Sequence, residues 1–255
     1  MARTRMLKMI SMALLFLGLA AGAADAAEIT VLSAGGVRPV VSELGAQFER
    51  AMGHKLTIKF VAGPVVKREI DAGEAFDVAI SLDDVVDDLI KRGKIAADTR
   101  AGFARAGLGV GVRQGAPKPD ISSVDGFKRT LLNATSVAYT AEGAAGMHFI
   151  SVLDRLSIAG DMQPKLKAVP AGEGVGALAR GEVQLFISTV PAIVGAAGIE
   201  LAGAFPPELQ TYLRFIAGVG TGAREPAAAK ALIKFLTSPE AAPVLKGKGM
   251  EPDTP

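Results

Sequence analysis

The chain alternates short runs of β-branched and aliphatic residues with longer stretches whose apolar residues recur at helical spacing. Residues 29–32 and 56–61 are typical of strands, and between them residues 39–51 carry apolar side chains three and four positions apart. Residues 76–80 are nearly all apolar, which indicates a strand covered on both faces. This alternation predicts an α/β fold, and its use on both sides of Leu108 permits two lobes.

The amino terminus carries the pattern of a cleaved secretory signal. Three basic residues precede an apolar run over residues 9–21, and an A-x-A triplet then ends at Ala26. The apolar run is shorter than the roughly 20 residues that cross a bilayer. We therefore predict a signal peptide over residues 1–26 and a soluble protein in the periplasm. A buried N-terminal helix is the alternative.

Charge and cysteine content exclude several classes of protein. Residues 1–26 hold three of the 28 Lys and Arg and one of the 26 Asp and Glu, which leaves 25 of each and a formal charge near zero. The sequence lacks a basic patch interleaved with aromatics, so we expect no nucleic-acid partner. It contains no cysteine, so the exported chain has neither disulfides nor a lipid-anchored cysteine.

Residues that commonly carry out catalysis or bind metals are sparse. The chain lacks the nucleophile elbow, the phosphate-binding loop and the H-E-x-x-H pair, and it holds two histidines, His54 and His148. We interpret His54 as a surface residue in a turn, whereas His148 faces a cleft, faces solvent or lies at the edge of the core. The acidic run over residues 83–88 is typical of a solvated helix face. We therefore predict no catalytic residue, no metal site and no cofactor.

Three glycine-containing junctions join a predicted strand to a predicted helix. They lie at residues 33–36, 62–65 and 142–146. Glycine lets a ligand approach the backbone closely, and a helix start presents unpaired N–H donors and the positive end of the helix dipole. If the three junctions converge, they form an anion site without Lys or Arg; the alternative is that they are ordinary tight turns.

Several segments resemble one known family, the ModA-like branch of periplasmic molybdate-binding proteins. The first strand and its junction, Ile29–Ala34, stand where that family has its first strand and ligand loop. Gly73–Ser81 resembles its G-x-P-A-D-V-F-I-S segment, and Gly181–Val183 its G-E-x strand entry. Glu200–Gln210 resembles a stretch of ModA-like relatives, and Ala231–Ala242 is similar to the family's last helices. The resemblance covers nearly the whole mature chain.

This resemblance implies a two-lobed type 2 periplasmic-binding-protein fold with a central cleft. The chain would cross between lobes near Gly107 and return near Gly220. Lobe I would comprise residues 27–106 and 222–255, and lobe II residues 107–221.

At the positions where the family contacts its ligand, this sequence has different residues. In the family, a serine at each of the first two junctions contacts the oxyanion, and these positions hold Gly36 and Gly63 here. The family's tyrosine after the Gly181–Glu182 strand entry is missing, with Ser188 and Thr189 nearby. The ligand would then be a molybdate-like oxyanion or a small organic acid. The predicted ligand-binding residues are Ser33, Gly36, Gly63, Val65, Gly146, Met147, Ser188 and Thr189.

Arg38 follows the first junction. It either pairs with a ligand carboxylate or covers the surface.

The leading functional hypothesis is a monomeric solute-binding component of an ABC importer, with a small anion and an inner-membrane ABC permease as partners. A periplasmic sensor that presents a small organic acid to a membrane receptor is the second hypothesis. A periplasmic hydrolase is the third, and it would require His54 or His148 as the base.

Overall fold

The protein's fold is that of a computed structural model, which describes residues 26–253. The predicted signal peptide, residues 1–26, lies outside these residues except for Ala26. Ten strands form one continuous sheet. They are β1 (Glu28–Ala34), β2 (Lys55–Val61), β3 (Val78–Leu82), β4 (Ala101–Arg113), β5 (Val137–Tyr139), β6 (Leu166–Ala168), β7 (Leu185–Thr189), β8 (Ile199–Ala204), β9 (Tyr212–Val219) and β10 (Met250–Pro252).

Ten α-helices connect and cover the strands. They are α1 (Arg38–Met52), α2 (Gly63–Asp71), α3 (Asp83–Lys91), α4 (Val124–Asn133), α5 (Ala144–Arg155), α6 (Ala159–Met162), α7 (Gly174–Ala179), α8 (Val190–Val194), α9 (Pro226–Leu236) and α10 (Ala242–Gly247). Short 3-10 turns occur at Gly35–Val37, Ala97–Thr99, Gln163–Lys165 and Pro239–Ala241. The α/β fold class predicted from the alternating pattern is confirmed.

The sheet consists of two similar parts. In the first, β1 pairs in parallel with β2 and β3; in the second, β5 pairs in parallel with β6 and β7. Helices cover both faces of each part and bury separate apolar cores. We call the layer around β1, β2, β3 and β9 the first subsheet, and the layer around β5, β6, β7 and β8 the second subsheet.

The long strand β4 joins the two subsheets. Residues 101–107 pair with β9, and residues 108–113 pair with β7 and β8. The change of partner at Gly107 coincides with the predicted first crossing. The return differs, because β9 pairs with β3 and with the first half of β4 and so belongs to the first subsheet. The lobe ranges 27–106, 107–221 and 222–255 stay a prediction, and the pairing favours a return before Tyr212.

Helix ends follow the local sequence. Pro39 occupies the first turn of α1, where its missing N–H is not needed. Gly53 ends the same helix in a left-handed conformation, with a φ of 75° that glycine adopts without steric cost. The helix packs Val40, Leu44 and Phe48 into the core of the first subsheet. Its amino-terminal end is thereby fixed at the carboxyl end of β1, where the candidate site lies.

Candidate ligand cleft

A cavity of about 500 Å³ lies between the two subsheets. Strand ends and helix starts supply its lining from both sides. The first side contributes Gly35, Gly36, Arg38, Ser42, Gly63 and Leu82. The second side contributes Thr140, Gly143, Gly146, Phe186, Ser188 and Thr189. The three glycine-containing junctions singled out in the sequence therefore converge on one cavity.

The helix starts at these junctions lack side-chain caps. No side chain caps the starts of α1, α2 and α5, whose preceding residues are Val37, Ala62 and Gly143. The first backbone N–H groups of a helix have no partner within the helix, and the helix dipole makes this end positive. The cavity therefore offers a positive potential to an anion. Free backbone donors are fewer at α1 and α2 than at α5, because Pro39 and Pro64 carry no N–H and the N–H groups of Arg38 and Val65 already bond to backbone carbonyls.

The two sides of the cavity touch through a buried hydrogen bond. The Thr189 hydroxyl donates to the Gly36 carbonyl oxygen over 2.7 Å, and the Thr189 residue is only 2 % exposed. A Cβ on Gly195 would lie 2.4 Å from the Cβ of Pro39. The end of α8 therefore packs closely against the start of α1, and these contacts hold the two sides together beside the cavity.

Arg38 is the single charged side chain among the residues that line the cavity. It is exposed, and its guanidinium carbon lies 4.3 Å from the centre of the Phe60 ring. Within residues 26–253, no carboxylate forms an ion pair with Arg38. Its positive charge is therefore available to a bound anion.

The cavity lining includes five of the eight residues predicted to bind ligand. These are Gly36, Gly63, Gly146, Ser188 and Thr189. Their contact with a ligand stays a prediction.

Three predicted residues lie elsewhere. Ser33 is fully buried in β1, where its hydroxyl donates to the Ala34 carbonyl over 3.3 Å. Val65 packs inward from α2 and is 8 % exposed. Met147 is 49 % exposed, and its N–H already bonds to the Gly143 carbonyl inside α5. None of the three is among the residues that line the cavity, and their contact with a ligand stays a prediction.

The structure adds residues that the prediction did not contain. Thr140, Phe186 and Phe215 line the cavity together with Leu82. Thr140 directly follows residues 136–139, whose sequence is typical of a strand, so its position at a strand end was a usable signal. The direction of the two phenylalanine side chains could not be predicted from the spacing of apolar residues in the sequence. The apolar side chains among them lie close to the glycines of the cavity, since a Cβ on Gly63 would stand 3.3 Å from the Leu82 Cδ1 atom.

Neither histidine lines the cavity. His148 Nε2 lies 2.8 Å from the Leu209 carbonyl oxygen, and His54 Nδ1 accepts the Ala27 N–H over 3.1 Å. The His54 ring also packs on Phe48. Both residues have structural partners, which leaves the hydrolase hypothesis without a base in the cavity.

The acidic run on α3 forms ion pairs. Asp83 and Asp87 both pair with Arg100, and Asp88 pairs with Lys67. Within residues 26–253, no group of three or more histidine or carboxylate residues is arranged to hold a metal ion.

Comparison with known proteins identifies the family. A family model described as bacterial extracellular solute-binding protein matches residues 29–251. The chain belongs to this family. As a solute-binding protein, it has the central cleft between two α/β layers that the sequence resemblance implied. Within residues 26–253, no helix is both long and apolar enough to cross a bilayer.

The names of individual relatives describe two different functions. The chain is 34% identical to a protein named aconitate isomerase from Pseudomonas sp., over 88% of this chain and 87% of that protein. It is 27% identical to the molybdate-binding protein ModA of Escherichia coli K12, over 89% of this chain and 90% of that protein. The periplasmic molybdate-binding protein of Azotobacter vinelandii superposes with a TM-score of 0.71 at 21% identity, over 87% of this chain and 98% of that one. The predicted resemblance to ModA-like proteins is confirmed.

Proposed function

We propose that this solute-binding protein binds a small organic polycarboxylate in the central cavity and delivers it to an ABC permease from the periplasm. The observation that carries the proposal is Arg38, the one charged side chain on a cavity lined otherwise by small, hydroxyl and apolar residues. A guanidinium matches a carboxylate with two parallel N–H donors. The start of α5, on the other side of the cavity, supplies donors for a further carboxylate on the same ligand.

The lining favours an organic anion over a tetrahedral oxyanion. Leu82, Phe186 and Phe215 form an apolar wall that suits a carbon skeleton and gives no hydrogen bond to an oxyanion. Gly36 and Gly63 offer backbone N–H groups but no hydroxyl. Burial of an unpaired neutral polar group costs on the order of 2–7 kcal/mol, and burial of an anion without hydrogen bonds costs far more. The relative named aconitate isomerase adds support, because aconitate is a tricarboxylate.

Isothermal titration calorimetry of the mature protein tests the proposal. The ligands are trans-aconitate, cis-aconitate, citrate and tricarballylate, with molybdate, tungstate and sulfate as tetrahedral anions. We expect saturable binding of at least one polycarboxylate. Binding of molybdate alone would contradict the proposal.

The variant Arg38→Met tests the role of the charge. Loss of a hydrogen bond to a charged group costs about 1.5–3 kcal/mol, so we expect carboxylate affinity to fall between about tenfold and a hundredfold. The matched control is Arg50→Met, an exposed arginine in the last turn of the same helix, outside the cavity lining. Equal affinities for the two variants would exclude Arg38 as a ligand contact.

Isomerisation is a second candidate, favoured by the 34% identity to a protein named for that activity. Interconversion of aconitate isomers moves a proton between carbon atoms, which requires a group that accepts it. The residues that line the cavity include no Asp, Glu, His, Lys or Tyr, and their hydroxyls come from serine and threonine. We therefore favour binding. Proton NMR of cis-aconitate with the protein tests this: a rate of conversion equal to buffer supports binding, and catalysed conversion supports the isomerase.

Transport itself is tested in cells. Deletion of the gene is expected to abolish uptake of the radiolabelled polycarboxylate that binds in calorimetry, and the wild-type gene on a plasmid is expected to restore it. Unchanged uptake, with binding intact in vitro, would favour the sensor hypothesis.

A further inference from the structure

We infer that Phe60 is a positioning residue that holds the Arg38 guanidinium in place for a carboxylate ligand. The inference rests on the proposed function and names a residue outside the cavity lining. Phe60 does not line the cavity, whereas Arg38 does. Any effect of Phe60 on ligand affinity must therefore pass through a neighbour, and Arg38 is the neighbour that carries charge.

Phe60 is a fixed platform. It lies in β2, where it stands opposite Ser33 in the seven-residue parallel register of β1 and β2. Its half-buried side chain packs against the core of the first subsheet. A ring held by both a strand register and a core has little freedom to move. The guanidinium carbon of Arg38 sits 4.3 Å from the centre of this ring, within the range of a cation–π contact.

Arg38 is anchored at its backbone, and its side chain reaches the other side of the cavity. Its backbone N–H donates to the Gly35 carbonyl at the start of α1. Its Nη2 atom lies near the turn at Gly172 on the other side of the cavity, 3.5 Å from where a Cβ on that glycine would stand. The guanidinium therefore extends from the Phe60 ring towards the second subsheet, across the space a ligand would occupy.

Stacking leaves the hydrogen-bonding edge of the guanidinium open. The N–H donors of a guanidinium lie in the plane of the group, so a cation–π contact through its face leaves them open to a ligand. A free arginine side chain loses substantial rotamer entropy when it orders on a ligand. The ring removes part of that loss before the ligand arrives, which is preorganisation. The affinity for carboxylates that reach Arg38 should therefore depend on Phe60.

A double-mutant cycle tests the inference, with trans-aconitate as the probe in calorimetry and thermal unfolding as the measure of folding. The variants are Phe60→Leu, Arg38→Met and the double variant. The control is Tyr212→Leu, because Tyr212 forms a comparable contact with Arg105, at 5.9 Å, and does not line the cavity. Phe60→Tyr keeps an aromatic face and serves as the conservative rescue.

We expect Phe60→Leu to weaken binding of trans-aconitate roughly threefold to fivefold, with the affinity restored in Phe60→Tyr. In the Arg38→Met background the Phe60→Leu substitution should have no further effect, since Phe60 acts through Arg38. Tyr212→Leu should bind as the wild type does. Additive losses in the double variant, or unchanged affinity in Phe60→Leu, would overturn the inference while leaving the proposed function intact. A wild type that binds no polycarboxylate would overturn both.

Discussion

At the scale of single residues, glycines at the cavity are set by packing as well as by ligand access. A Cβ on Gly146 would lie 2.1 Å from the Thr140 carbonyl oxygen, which is far inside van der Waals contact. A Cβ on Gly36 would lie 3.3 Å from the Thr189 Cγ2 atom. The absent side chains thus allow the start of α5 and the two sides of the cavity to approach closely. These glycines leave backbone N–H groups as the donors of the site.

The substitution Gly146→Ala should destabilise the protein by about 1–3 kcal/mol, because the new methyl group forces the Thr140 backbone to shift. Equilibrium urea unfolding measures the effect. The control is Gly160→Ala in α6, where a Cβ meets nothing within 4 Å. That change should be neutral or stabilising by up to about 1 kcal/mol. An equal stability of the two variants would contradict the close approach at Gly146.

Arg38 and Ser33 show which properties of the site the sequence predicts and which it does not. Both lie at the first junction, and both are polar residues on which a ligand contact can be based. The structure buries Ser33 within β1 and places Arg38 on the cavity. The junction was predictable from the strand and glycine pattern. The direction of each side chain depends on the pleat of the strand and on the residue at which the helix starts. The local sequence pattern does not specify how either is placed relative to the cavity.

At the scale of elements, the buried carboxylate of Asp77 joins three segments. Oδ2 accepts the Thr30 N–H of β1 over 2.8 Å. Oδ1 accepts the N–H groups of Arg224 and Glu225, over 2.6 and 3.1 Å, at the start of α9. Asp77 itself immediately precedes β3 and is 3 % exposed. One side chain therefore fixes the return of the carboxyl-terminal helices onto the first subsheet.

Asp77→Ala should lower the free energy of unfolding by about 3 kcal/mol, because three partly buried backbone donors lose their acceptor. Urea unfolding measures the loss. Asp161→Ala, at an exposed position in α6, serves as the control and should change stability little. A loss for Asp77→Ala no larger than that of the control would show that the segment is held by other contacts.

Glu200 ties the start of β8 to the end of β4. The hydrogen bond from Lys118, at 3.0 Å, and then the Gly115 N–H, at 2.8 Å, hold the pKa of the Glu200 carboxyl below its ordinary value. Because the pKa is lower in the folded chain, these contacts stabilise the fold above the ordinary pKa of glutamate. That stabilisation is lost as the pH falls through the lowered pKa.

Lys118→Met should therefore raise the pKa of Glu200, though not to its ordinary value, because the Gly115 N–H remains. An NMR titration of the Glu200 side-chain carboxyl measures the change. Lys246→Met, an exposed lysine in α10, is the control and should leave the pKa of Glu200 where it is. If both variants titrate as the wild type does, the ion pair does not form in solution.

Most elements of the first subsheet were predictable, because their apolar residues follow a clear period of two or of three to four. Residues 108–112 have the apolar pattern of a strand, which predicts only the second half of β4, since Gly and Ala at residues 101–107 give little β propensity. Both β8 and α8 were missed for related reasons: β8 is rich in Ala and Gly, and α8 spans five residues. Their conformations come from pairing and packing against β4.

At the scale of the whole molecule, contacts between the two sides surround the cavity. The buried bond from Thr189 to Gly36 lies at the cavity lining, and an exposed ion pair between Arg68 and Glu142, at 3.1 Å, links α2 to the loop before α5. An exposed ion pair contributes at most about 1 kcal/mol, so the buried contacts carry more of the association. In the family, such a cleft binds its solute between the two sides.

We propose that a polycarboxylate binds between the subsheets, at Arg38 and the three helix starts. The most direct test is a ¹H–¹⁵N correlation spectrum of the mature protein titrated with trans-aconitate. If the ligand binds there, we expect saturable shifts of the Gly36, Gly63 and Gly146 amides and of the Arg38 side-chain N–H. A spectrum without those shifts, or with shifts confined to residues remote from the cavity, would contradict it.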